Sequence, residues 1–133
     1  MIRQKGKKLA LAAVTVELAV VSPVMFAMLF GIIEFGWLFT VRHTMVNAAR
    51  EGARVGAIQG TDASDVEARV IELLAPMGLE DKVTIAITEA TTDEPNVSVL
   101  LTVPQANVSL VGNFFGFEQG TISAFASMRR EGM

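Results

Sequence analysis

Apolar and polar positions follow three different rhythms along this chain. From residue 9 to residue 41 most positions are apolar, and the only charges are Glu17 and Glu34. Residues 18–33 form an uncharged run of sixteen, with further apolar residues on both sides. An apolar stretch of about 18 residues or more is the signature of a membrane-spanning helix. A helix over residues 14–37 would rise about 36 Å, enough to cross a hydrocarbon core with some tilt. The pattern predicts that this helix continues beyond the membrane to about residue 58. There Ala49, Gly52, Ala53, Gly56 and Gly60 recur at three- and four-residue spacing. Such a small-residue stripe lets another element approach closely. Two partners fit it, the protein's own sheet and a neighbouring helix in a fibre.

The rhythm then changes twice. Val66, Val70, Leu73 and Leu74 form the apolar stripe of a second helix over residues 64–75. Ser64 and Glu67 have the spacing of a capping box, with Asp62 as an alternative cap, and Pro76 and Gly78 end the helix. After it, Val83, Ile85 and Ile87 alternate with Thr84, Ala86 and Thr88. Val97, Val99, Leu101 and Val103 alternate mainly with polar residues, and Ile122, Ala124, Ala126 and Met128 alternate again. This period of two predicts strands near 83–88, 97–103 and 121–129. The first two flank a loop over 89–96. Residues 105–120 are less regular, with Asn113, Gly116 and Gly120 as turn residues. The expected fold is α+β: a long N-terminal transmembrane helix, a short second helix and a small antiparallel sheet of about three strands.

Charge gives this layout a direction. Arg3, Lys5, Lys7 and Lys8 precede the apolar stretch, and no acid occurs before Glu17. The positive-inside rule keeps such a cluster in the cytoplasm and exports the chain beyond the span. Residues 1–12 are then a cytoplasmic basic leader, 13–40 the transmembrane helix and 41–133 an exported domain. Phe35, Trp37 and Phe39 fall where an aromatic belt would lie at the outer interface. A conventional signal peptide would carry its small-residue cleavage site after a short apolar core. Here Ala10 and Ala12 precede a core too long for that.

Composition removes several classes of function. The chain has no cysteine and one histidine, His43, which leaves no disulfide framework, thiolate metal site or histidine triad. No phosphate-binding glycine loop or nucleophile motif is present, and the spacing of Gly52, Gly56 and Gly60 is a helix-packing pattern. Glu80 with Asp81 and Asp93 with Glu94 are expected as solvated turn residues. Residues 62–94 hold nine acids against Arg69 and Lys82, a poor match for nucleic acid. Arg42, Arg50 and Arg54 read as a solvated face or as partners for local acids. The residues point to a non-enzymatic protein without cofactor, metal or small-molecule substrate.

The residues also resemble a known family. The run Ala13-Val14-Thr15-Val16-Glu17-Leu18 after a short basic leader is similar to the class III signal of type IV pilins and pseudopilins. The longer set looks like the TadE-like family, minor pseudopilins of the tight-adherence (Tad or Flp) pilus machinery. That set comprises Val16 to Ala19, Pro23, Phe30 to Gly36, and Asn47 to Arg54. The resemblance covers residues 13–54 and is loose beyond Gly60. It implies cutting by a prepilin peptidase between Ala12 and Ala13, retention of Glu17 at the fifth mature position, and residence in the bacterial inner membrane. It also implies partnership with other pilins or pseudopilins and with Tad assembly proteins. The family usually has glycine before the cut, where this chain has Ala12.

A physical reading of that signal stands beside the resemblance. A cut before Ala13 creates a cationic amino group, and a carboxylate at the fifth mature position can pair with the amino terminus of a neighbouring subunit. In apolar surroundings such a pair is far better than an unpaired charge, and it would set the axial stagger of the subunits. Losing the four leader bases moves the net charge from −3 to about −7. The alternative is an uncleaved, signal-anchored exported module for binding or adhesion.

Overall fold

The computed structural model describes residues 2–112, 116 and 119–132, with the backbone alone for residues 2–11. The expected turn residue Asn113 lies outside the described residues. The chain divides into two units, Met1–Phe35 and Gly36–Met133.

The described residues of the first unit are helical. Helix α1, Ile2–Gly56, begins within the basic leader and passes through residues 12 and 13 without a break. It also runs through Pro23, which cannot donate the backbone bond that the carbonyl four residues earlier would accept. Its apolar side chains face outward: Val14, Val16, Leu18, Val20, Val24, Met25, Phe26, Met28 and Ile32 are all exposed. An 18-residue apolar window in this helix has none of its residues buried. A soluble protein would enclose such a surface. Among the described residues there is thus one helix long and apolar enough to cross a membrane.

The second unit is a two-layer α+β domain. It contains the end of α1, helix α2 (Ala63–Leu74), a 3-10 turn (Ala75–Met77), strand β1 (Thr84–Thr88), strand β2 (Asn96–Pro104), a second 3-10 turn (Gln105–Asn107) and strand β3 (Thr121–Arg129). The sheet is an antiparallel meander in the order β1-β2-β3. Its register pairs Ala86 with Leu100 and Leu100 with Phe125. Alternation of side chains puts Val97, Val99, Leu101, Val103, Ala124 and Ala126 on the buried face. Thr84, Ala86, Thr88, Ser123, Phe125 and Ser127 are on the exposed one.

The helices cover the buried face. On α1 the enclosed positions Leu38, Val41, Met45, Ala48, Ala49, Gly52, Ala53 and Gly56 follow the three- and four-residue spacing of one helix face. Large side chains fill the first half of this stripe and small ones the second. A Cβ built on Gly52 would lie 2.6 Å from Val70 Cγ2, and one on Gly56 would lie 2.7 Å from Val97 Cγ1. The small-residue stripe therefore lets α1 touch α2 and β2 directly, because no side chain stands between them.

The start of α2 corrects one expectation. Its N-cap is Asp62, with the extended backbone (φ −112°, ψ 178°) that the position requires. Asp62 Oδ1 accepts from the Asp65 backbone N–H at 3.1 Å, and the Asp62 N–H donates to Asp65 Oδ2 at 3.2 Å. The capping box is thus Asp62 with Asp65. Ser64 lies inside the first turn, where its hydroxyl donates to Asp62 Oδ1 at 2.6 Å. Glu89 adds a contact that was not expected, accepting from the Ala63 N–H at 3.0 Å. Gly78, at φ +61°, ends the 3-10 turn after the helix, a left-handed backbone that glycine adopts without penalty.

Candidate functional site

The residues with the most specific chemistry lie on the first unit of α1. Ala13 and Glu17 are four positions apart, so they share a helix face about 6 Å from one another along the axis. Ala12, Val16, Val20 and Val21 complete a shallow apolar depression around them. Glu17 is exposed on this face, the one acid among outward-facing apolar residues. A carboxylate in the middle of a membrane helix costs about 2.5–3.5 kcal/mol on an insertion scale. Towards the end of the span the cost falls, because the group can reach the headgroups. An acid here is tolerated most easily where something cationic meets it.

Glu34, the second acid, behaves differently. It is 2% exposed, the only charged side chain among the buried residues described. Its position along the chain alone would put it at the outer interface of the span.

The aromatic positions separate in the same way. Phe35 and Phe39 are both 62% exposed, as an interfacial belt requires. Trp37 is half-buried, and its indole Nε1 donates to the Val108 carbonyl at 2.6 Å. Its polar edge is taken up by a bond within the fold. No local signal could have shown this, since 71 positions separate the two residues.

The 47–54 motif divides by face. Ala48, Ala49, Gly52 and Ala53 are buried, whereas Asn47, Arg50 and Arg54 are exposed. Arg54 pairs with Glu51 at 3.1 Å. Both side chains are substantially exposed there, so the pair contributes little to stability. Arg50 and Asn47 line a shallow groove with Phe39, Arg42, His43 and Val46. The imidazole of His43 packs edge-on against Phe39 at a ring separation of 4.4 Å.

Two acid pairs were expected as solvated turns. Asp81, Asp93 and Glu94 are exposed. Glu80 departs from that expectation: it is half-buried, and its Oε2 is out of solvent contact with no hydrogen-bond partner among the described residues.

Comparison with known proteins adds one match. Residues 12–54 match the family model described as TadE-like protein. The match starts at Ala12, takes in Glu17 and Glu34, and ends at Arg54. No curated protein and no solved structure matches the chain.

Proposed function

We propose that this TadE-like chain is a minor pseudopilin of a Tad (Flp) pilus machinery, anchored in the bacterial inner membrane with its α+β domain exported. One observation carries the reading. An N-terminal apolar helix stretch with none of its window buried bears an exposed carboxylate four residues after Ala13, and the family match begins at the preceding residue.

In this reading a prepilin peptidase hydrolyses the bond between Ala12 and Ala13. Water supplies the new carboxylate on Ala12 and the new amino group on Ala13. The leader leaves with its four bases, Arg3, Lys5, Lys7 and Lys8. The protonated amino group of one subunit then meets Glu17 of a neighbour. Two charges at about 4 Å attract by about 4 kcal/mol at an effective dielectric of about 20, so the pairing selects one axial stagger over others. Other pilins or pseudopilins and Tad assembly proteins are the partners. Ala12, where the family has glycine, favours a second reading, an uncleaved signal-anchored module for binding or adhesion.

The experiment is the mature N-terminus and intact mass of the protein from the membrane fraction, with and without the host's prepilin peptidase. A peptidase-dependent start at Ala13 supports the pseudopilin. A start at Met1 or Ile2 under both conditions rejects processing and leaves the anchored module.

A further inference from the structure

The two faces of the sheet differ in charge as well as in burial. α1 and α2 cover the inner face, where Val97, Val99 and Leu101 are enclosed. The outer face is open, and Arg129 at its edge is the one charged side chain that the three strands place on it. Elsewhere the domain is well charged: α2 exposes Asp65, Glu67 and Glu72. Without Glu17, Glu34 and the four leader bases, the 14 acids and 11 bases of the chain leave the domain at a net charge of −5. Two copies of such a domain repel where their acidic surfaces meet. The outer sheet face is a surface on which they can meet without that cost.

The centre of that face is a graded row. Ala86 of β1, Leu100 of β2 and Phe125 of β3 are cross-strand neighbours. Phe125 is 64% exposed and Leu100 39%. Short hydroxyl side chains flank the row, Thr84, Thr102 and Ser123 on one side and Thr88, Ser98 and Ser127 on the other. A half-turn about an axis parallel to the strands and over β2 makes this row its own complement. β2 then lies on β2, and β1 on β3 of the other copy. Leu100 meets its counterpart, and each Phe125 lies over the Ala86 of the other copy. A large side chain thus faces a small one at both ends of the row. The short flanking side chains let the two sheets close to the usual separation of about 10 Å. The two Arg129 side chains are left at opposite edges of the contact.

Direction also favours this arrangement. β2 runs back along α1, from Val97 beside Gly56 towards Val108, whose carbonyl is bonded to Trp37. A half-turn about the strand direction therefore leaves residue 36 of both copies at the same end, as two chains anchored from one side require. Antiparallel pairing of two β3 edges would instead turn one copy over. Three strands about 4.8 Å apart and about 30 Å long offer about 400 Å² per copy. Two copies then bury about 800 Å², the size of a weak, reversible contact.

We propose that the outer sheet face is a contact surface for a second copy of this chain, packed face to face about a two-fold axis along β2, with Phe125 of each copy on Ala86 of the other. The inference goes beyond the proposed function and depends on neither processing nor pilus assembly.

The chain has no cysteine, so a single introduced thiol can trap the contact. Ser98→Cys is nearly isosteric, and a residue of β2 stands opposite its own counterpart in this arrangement. Glu67→Cys, exposed on α2, reports chance collisions. Each variant is made in the full chain, purified in detergent and treated with a short bismaleimide. The expected yield of cross-linked dimer is several-fold higher at position 98 than at position 67. In the Ser98→Cys background, Ala86→Phe sets Phe against Phe and should lower the yield to that of position 67. Adding Phe125→Ala restores large against small and should recover it. Equal yields at positions 98 and 67 overturn the contact. A high yield at 98 that Ala86→Phe leaves unchanged, or a lowered one that Phe125→Ala does not restore, overturns the proposed arrangement. Ala86 lies on an open face, and an unchanged circular dichroism spectrum checks that its enlargement leaves the fold intact.

Discussion

Trp37 and Val108 are joined by a hydrogen bond of 2.6 Å between the indole N–H and a backbone carbonyl, across 71 positions of sequence. This bond ties the end of the sheet to the point where α1 enters the domain. Trp37→Phe keeps the aromatic body and removes the donor, leaving a buried residue's carbonyl without it. The expected loss is about 1–3 kcal/mol, read as a lower midpoint in thermal unfolding of the detergent-solubilised protein.

Close contact at Gly52 gives a second expectation. Val70 and Val66 occupy the space that any side chain there would need. Gly52→Val should cost about 3 kcal/mol, near the top of the usual range for overpacking, despite the better helix propensity of valine. Gly31 has nothing within 4 Å of its Cβ position, so Gly31→Val should leave the domain's unfolding unchanged. Equal effects of the two substitutions would mean that α1 does not lie directly against α2.

The cap of α2 should respond to acid. The Ser64 hydroxyl, and after it the backbone N–H of Asp65, holds the Asp62 carboxyl below its ordinary value of 3.8. A carboxyl lowered in the folded state stabilises above its unfolded value, and that contribution is lost as pH falls through the folded one. Stability should therefore decline as pH drops below about 4. Asp62→Asn retains a good capping acceptor and should flatten this part of the profile. Asp62→Ala should lower the midpoint at neutral pH as well. Thermal unfolding monitored by circular dichroism across the acid range is the measurement.

Glu17→Gln tests the assembly reading at constant shape. The variant should insert in the membrane as the parent does, yet fail to support pilus assembly in cells that lack the parent. Normal piliation, scored by electron microscopy, would show that pairing with an amino terminus is not what Glu17 does.

The helices and strands of this protein were legible in its sequence because each depends on a local rhythm. Unbroken apolarity marked the span, and alternation over 97–103 and 121–129 marked the two long strands. The glycines and alanines at 49, 52, 53 and 56 announced a close approach, although not what approached. The family resemblance over residues 13–54 was equally readable, because its motifs are contiguous and ordered.

Other features depended on the tertiary structure. Asp62 displaced Ser64 as the cap because only one of them has the extended backbone that a cap requires. Glu80 and Glu34 lost their exposure, and Trp37 spent its N–H on Val108. The Trp37–Val108 bond is a meeting between residues far apart in the chain, and the cap of α2 was decided by backbone conformation within one turn. Periodicity along one segment shows which face will be covered; the packing of the whole domain decides by what, and which polar atoms find partners there.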